Sequence, residues 1–164
     1  DDTSLTVDTP AGLGPVNVTA TNSTGSDTLV GGYTYVPGGS FVNCGASGIG
    51  GSLGEPVMTG SGDLTPGSSA GFTVTISNAQ PLALGFVFFG LVDNPTPFFG
   101  GTFHPIPWLQ SRIFPFNASG SFSGTTAMDP TFPGSTSLYL QTFFEDASAP
   151  QGISGSNCLE LQVP

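Results

Sequence analysis

Two neighbouring stretches decide the fold: Phe72-Thr73-Val74-Thr75-Ile76-Ser77 and Ala83-Leu84-Gly85-Phe86-Val87-Phe88-Phe89-Gly90-Leu91-Val92. The first alternates apolar and polar residues with period two, which makes one dry face and one wet face of a β-strand. The second is apolar on both faces, the pattern of a central strand covered on both sides. Leu138 to Phe144 reads the same way. Further alternating runs are Leu5/Val7, Val16/Val18/Ala20, Tyr33/Tyr35 and Leu159/Leu161/Val163, each interleaved with polar or small residues. Turn signals separate them at Pro10-Ala11-Gly12, Ser23 to Ser26, Pro66-Gly67, Asn117 to Gly120 and Pro150 to Gly152. Short strands divided by turns predict an all-β fold, an antiparallel β-sandwich of immunoglobulin-like or jelly-roll-like type.

Composition agrees. Among 164 residues, 25 Gly and 15 Pro leave almost no window for a helix, and only 7% of residues are charged, against roughly 25% in an average soluble domain. That excludes coiled coils and helical bundles. A hydrophobic share of 37%, with 14 Phe, suffices for a core and argues against disorder. The single basic residue is Arg112, against 11 acids, for a net charge of −10. Nucleic acid and anionic membrane surfaces need several Lys or Arg, so neither is a partner. The longest apolar run, Pro81 to Val92, is broken by Gly85 and Gly90 and falls short of the ~20 residues that span a bilayer. The chain opens on Asp1-Asp2 with no basic or apolar leader region, which reads as a secreted product whose leader has been removed.

The two cysteines, Cys44 and Cys158, predict one disulfide and an oxidising, extracellular setting. A loop of over a hundred residues closed in this way gains about 4.7 kcal/mol on the chain-entropy model. Pro37-Gly38-Gly39-Ser40 reads as a linker, residues 37–40, between a cysteine-free segment of residues 1–36 and a block of residues 41–164 that the disulfide ties end to end.

Two resemblances sharpen this division. Thr9-Pro10-Ala11-Gly12, Val16-Asn17-Val18-Thr19, Asn22-Ser23-Thr24-Gly25 and Gly32-Tyr33-Thr34-Tyr35-Val36 together resemble the last three strands of an IPT/TIG module, an immunoglobulin-like domain whose first half is absent here. Asn43-Cys44-Gly45-Ala46-Ser47-Gly48, Gly85 to Val92, Leu138-Tyr139-Leu140-Gln141 and Ser156-Asn157-Cys158-Leu159-Glu160-Leu161 resemble an uncharacterised β-sandwich domain of secreted bacterial proteins. The second resemblance implies a bacterial extracellular origin and brings no catalytic residues with it.

Catalytic chemistry is thinly represented. His104 is the only histidine, within the Pro-rich run Phe103-His104-Pro105-Ile106-Pro107-Trp108, which reads as a rigid loop. A triad with Ser111 is formally available, but no Gly-x-Ser-x-Gly elbow precedes a helix. Glu145-Asp146 is the one dense acidic spot in the main block, and adjacent strand residues point to opposite faces. It and Asp93-Asn94 could offer oxygen ligands to calcium, but no Asp-x-Asp-x-Asp-Gly loop occurs. No catalytic residue, metal or cofactor is therefore assigned. Phe98, Phe99, Phe103, Trp108, Phe114 and Phe116 cluster in one Pro-rich segment, as core, subunit interface or ligand platform. Sequons at Asn17, Asn22 and Asn117 are candidate glycosylation sites on a secreted chain.

The half-module is the strongest functional clue. Three strands with one apolar face are marginal alone, so Leu5, Val7, Val16, Val18, Tyr33 and Tyr35 need a second layer. Residues 41–164 of the same chain, a neighbouring copy or residues upstream could each supply it, and Phe98, Phe99 and Trp108 are further candidate inter-subunit contacts. Head-to-tail contacts that do not close build helical filaments. The leading expectation is a non-enzymatic homopolymer, a bacterial extracellular or cell-surface filament. The alternatives are a fragment of a multidomain adhesin stalk and a secreted carbohydrate-binding module whose partners are glycans.

Overall fold

A computed structural model describes residues 14–22, 24–35, 38–45 and 48–164. The described residues contain thirteen strands, one 3₁₀ turn at Pro150–Gly152 and no α-helix. The chain divides into two compact units, Asp1–Pro37 and Gly38–Pro164. Among its described residues the first holds one antiparallel hairpin, β1 (Gly14–Asn22) and β2 (Gly25–Tyr35). A register shift after Val16 pairs Val16 with Tyr33 and Val18 with Leu29. Val18 is half-buried, while Leu29 and Val30 are exposed. Leu5 and Val7 lie outside the described residues.

The second unit contains β3 (Ser40–Asn43), β4 (Val57–Gly62), β5 (Phe72–Ser77), β6 (Leu84–Gly90), β7 (Asp93–Phe98), β8 (Gly101–Pro105), β9 (Trp108–Pro115), β10 (Phe122–Thr126), β11 (Ser137–Glu145), β12 (Ile153–Gly155) and β13 (Leu159–Gln162). One sheet runs β3-β13-β11-β6-β9, with β12 also paired to β11; a second runs β10-β5-β4; β7 and β8 form a separate hairpin. All pairings are antiparallel. Gly38, within the expected linker, is tied into this unit by the Leu64 N–H donating to its carbonyl.

The expected all-β sandwich is present; β11 and the Phe88 end of β6 are covered on both faces, while Leu84 and Phe86 of β6, expected to be covered, are exposed on the outer face. Val87, Leu140 and Phe144 face the three-stranded sheet, where Met58 and Ile76 meet them. Phe88 and Phe143 face the other way, onto Phe98 and Phe103 of the β7–β8 hairpin. Gly85 permits this packing: a Cβ there would stand 2.7 Å from the Phe114 ring and 2.9 Å from that of Phe116. Phe116 in turn meets Phe144 edge-on, with ring centroids 5.0 Å apart.

The Cys44–Cys158 disulfide forms as expected, with Cα atoms 5.2 Å apart. Beside it, between β12 and β13, the Asn157 side chain pairs with the backbone of β4. Its Oδ1 accepts from the Met58 N–H at 2.7 Å, and its Nδ2 donates to the Met58 carbonyl at 3.1 Å, stitching the large sheet to β4.

Two substitutions test this core. Phe144→Ala should cost about 3–5 kcal/mol in urea unfolding, by lost burial plus a cavity. Thr142 is fully buried on the inner face with its hydroxyl unpaired. Thr142→Val should therefore raise stability, by about 1 kcal/mol.

Candidate functional site

The Pro-rich segment expected to be a loop is instead three strands, β7, β8 and β9. Pro95 and Pro97 fit because β7 pairs on one side only, where the missing N–H costs no ladder bond. This places His104 in a strand rather than a rigid loop. It is buried; its backbone N–H donates to Gln141 Oε1 at 3.0 Å, and its Nδ1 lies 2.7 Å from Asp93 Oδ1. Gln141, fully buried, donates through Nε2 to the carbonyls of Thr102 and Ser156. Asp93, His104 and Gln141 thus fasten the outer hairpin to β11. Among the described residues, no hydrogen bond brings Ser111 or another hydroxyl to the His104 ring. A nucleophile-base relay requires that contact.

Glu145 and Asp146 part company. Glu145 is exposed, whereas Asp146 is buried and accepts from the backbone and hydroxyl of Ser52, at 2.7 and 2.9 Å, and from the Ser148 N–H at 2.9 Å. Desolvation pushes its pKa up, and these hydrogen bonds outweigh that, holding it below the ordinary carboxylate value. Among the described residues no group of three His, Cys, Asp or Glu could hold a metal ion. No described helix is long and apolar enough to cross a membrane.

Two of the three sequon asparagines are exposed. Asn17 is exposed on β1, and Asn22 ends that strand opposite Gly25. Asn117 is exposed, and its Oδ1 accepts from the N–H groups of Ser119 and Ser121 and from the Ser119 hydroxyl, shaping the turn before β10.

The aromatic candidates divide between core and surface. Phe98 packs on Phe143 at a centroid distance of 4.9 Å, and Phe103, Phe114 and Phe116 are buried. Phe99 and Trp108 remain exposed, Trp108 by 55%. Sequence reasoning missed the neighbours that turn these two into a surface. On β9, Leu109 is 65% exposed and Ile113 62%, while Leu84 and Phe86 of β6 continue the apolar area. The register explains it: Ile113 pairs with Phe86 on the face away from the three-stranded sheet, beyond the part that the β7–β8 hairpin covers. A glycan platform requires polar groups beside its aromatic ring, and Trp108 is flanked on β9 by Leu109.

β9 also ends the large sheet, as β10 ends the small one. Between these two free edges the sandwich gapes in an apolar cleft of about 330 Å³, lined by Val74, Val87, Phe89, Phe114, Phe122 and other side chains. Arg112 lies at its rim. Across the molecule, where β3 and β4 are the edges, the two sheets are bridged by Asn157.

Compared with known proteins, the chain matches no family model, no curated protein and no solved structure.

The Asp146 anchor has a pH signature. Its folded pKa is depressed, so its contribution is present above the unfolded value near pH 4 and is lost as pH falls through the lower folded value. Asp146→Asn should cost about 1–3 kcal/mol at pH 7. Thermal melts of wild type and variant should converge as pH falls below the folded value; a gap that persists there would assign the loss to packing instead.

Proposed function

We propose that the protein is a non-enzymatic structural subunit that assembles head-to-tail into an extracellular or cell-surface filament through the strands of residues 1–36. The observation that carries this reading is the hairpin unit. Among the described residues of the unit Asp1–Pro37, β1 and β2 form a single hairpin, with Leu29 and Val30 exposed by 66% and 79%. Two strands have too little apolar contact for independent stability, and the unit contains no disulfide. A covering layer from a neighbouring subunit answers that need, and the same contact repeated from copy to copy is a polymer. The exposed apolar edge at Trp108, Leu109 and Ile113 supports the same reading, since proteins that work alone blunt such edges with charge. The disulfide is compatible with an oxidising, extracellular setting. The likeness of residues 1–36 to half of an IPT/TIG module fits a segment completed by its neighbour.

Negative-stain electron microscopy and sedimentation velocity on the purified chain test this. Regular polymers are expected; a monodisperse monomer across the accessible concentration range would overturn it. Residues 38–164 alone should sediment as a monomer and melt cooperatively, because they carry both packed sheets and the disulfide. Truncated protein that polymerises like the full chain would remove residues 1–37 from the contact.

A further inference from the structure

We infer that the cleft between β9 and β10 is the acceptor for residues Thr3–Asp8 of a second copy, which add to the free edge of β9 as an extra strand. This rests on the filament reading and names both surfaces of its contact.

Three features converge on that occupant. The first is shape. The cleft runs between two unpaired strand edges, so an entering extended segment finds a row of backbone donors and acceptors along β9. Its volume of about 330 Å³ is roughly twice that of a cavity that accepts one benzene, which suits two aliphatic side chains. The second is pattern. Thr3-Ser4-Leu5-Thr6-Val7-Asp8 places two apolar residues two positions apart, the spacing with which one strand face presents Leu5 and Val7 to the same floor. Val74, Phe89, Phe114 and Phe122 would receive them.

The third is charge. Arg112 is the only cation among Lys and Arg in a chain with 11 acids. Among the described residues it pairs with no carboxylate; the ion pair present there is His104–Asp93. Its guanidinium meets neutral oxygens instead, the Ser111 carbonyl at 3.4 Å and, with the Gln110 amide oriented to satisfy both groups, Gln110 Oε1 at 2.6–2.7 Å. Arg112 pairs with Val87 and is therefore on the inner face of β9, at the cleft rim. The segment Asp1–Asp8 brings Asp1, Asp2 and Asp8 and no base. An acidic strand with an apolar stripe complements an apolar slot whose rim holds the one positive charge. The opposite mouth of the sandwich lacks this complementarity, because Asn157 already bridges its sheets there and no cation lines it.

The test uses the full chain with a photoreactive p-benzoylphenylalanine in place of Leu5, mixed one to one with isotope-labelled copies and irradiated under assembly conditions. Mass spectrometry should locate mixed-isotope crosslinks in residues 108–116 and 122–126. Crosslinks to another surface of the neighbour would overturn the cleft as acceptor and leave the filament reading standing. Crosslinks to the cleft found only within one isotope, with no mixed pairs, would show a chain that completes itself, overturning both. Because the bulky probe could itself block entry, Leu5→Asp and Leu5→Ile give an independent reading by sedimentation. Leu5→Asp should raise the critical concentration roughly tenfold or more, while Leu5→Ile leaves it near wild type. Polymerisation unaffected by Leu5→Asp would overturn the proposal whatever the crosslinks show. Arg112→Glu should weaken assembly, and Asp1→Lys with Asp2→Lys and Asp8→Lys in the same copies should restore it.

Discussion

A strand that is apolar on both faces cannot be satisfied by a single partner layer, and this protein has two of them side by side. β6 and β11 are hydrogen-bonded neighbours, pairing Phe86 with Phe143 and Val87 with Thr142. Each therefore demands cover above and below. The three-stranded sheet supplies one layer through Met58 and Ile76. The other comes from the β7–β8 hairpin, which is short and shields only the end of the sheet around Phe88 and Phe143. Beyond it the same apolar pattern continues into Leu84, Phe86 and Ile113 with no layer over them among the described residues. The exposed patch is thus the remainder of the rule that builds the core.

A second constraint comes from unequal sheet widths. Five strands in series face three, so the two layers cannot meet edge to edge on both sides. On the β3–β4 side the mismatch is closed by polar chemistry: Asn157 spans the layers with hydrogen bonds to both backbone groups of Met58, and the disulfide pins the adjacent chain. Such buried amides stabilise only when every group is paired, and here Oδ1 and Nδ2 both are. On the β9–β10 side the gap is lined mainly by apolar side chains, with Arg112 at its rim. One edge is rigid and finished and the other is open, which gives the domain a direction, as any head-to-tail assembly requires.

Much of this was legible in the sequence because strand periodicity is local. The doubly apolar runs at Ala83–Val92 and Leu138–Phe144 identified the central strands, and the two cysteines their covalent closure. The run from Phe103 to Trp108 was misread because proline density suggests loop; in the strand paired with its first residues, Pro95 and Pro97 are tolerated because that strand has only one partner, and partner number is not written in the strand itself. His104 was misplaced for the same reason. The roles of Gln141, Asp146 and Asn157 were invisible, since each depends on a residue far away in the chain: Thr102, Ser52 and Met58. The exposed stripe on β9 could have been suspected from Trp108-Leu109 beside Arg112, but only the register shows that Ile113 turns away from the core.

The solitary arginine carries one more consequence. A trypsin-like protease cuts only after Lys or Arg, so this sequence offers it a single scissile bond, Arg112–Ile113, in the middle of β9. Cleavage needs the strand to detach locally and enter an active site as an extended segment, and strands at a sheet edge open most readily. Any chain that pairs along β9 protects that bond by holding the backbone a protease must grip. No other position offers such enzymes a cleavage site, so the one vulnerable peptide lies on an open edge of the large sheet.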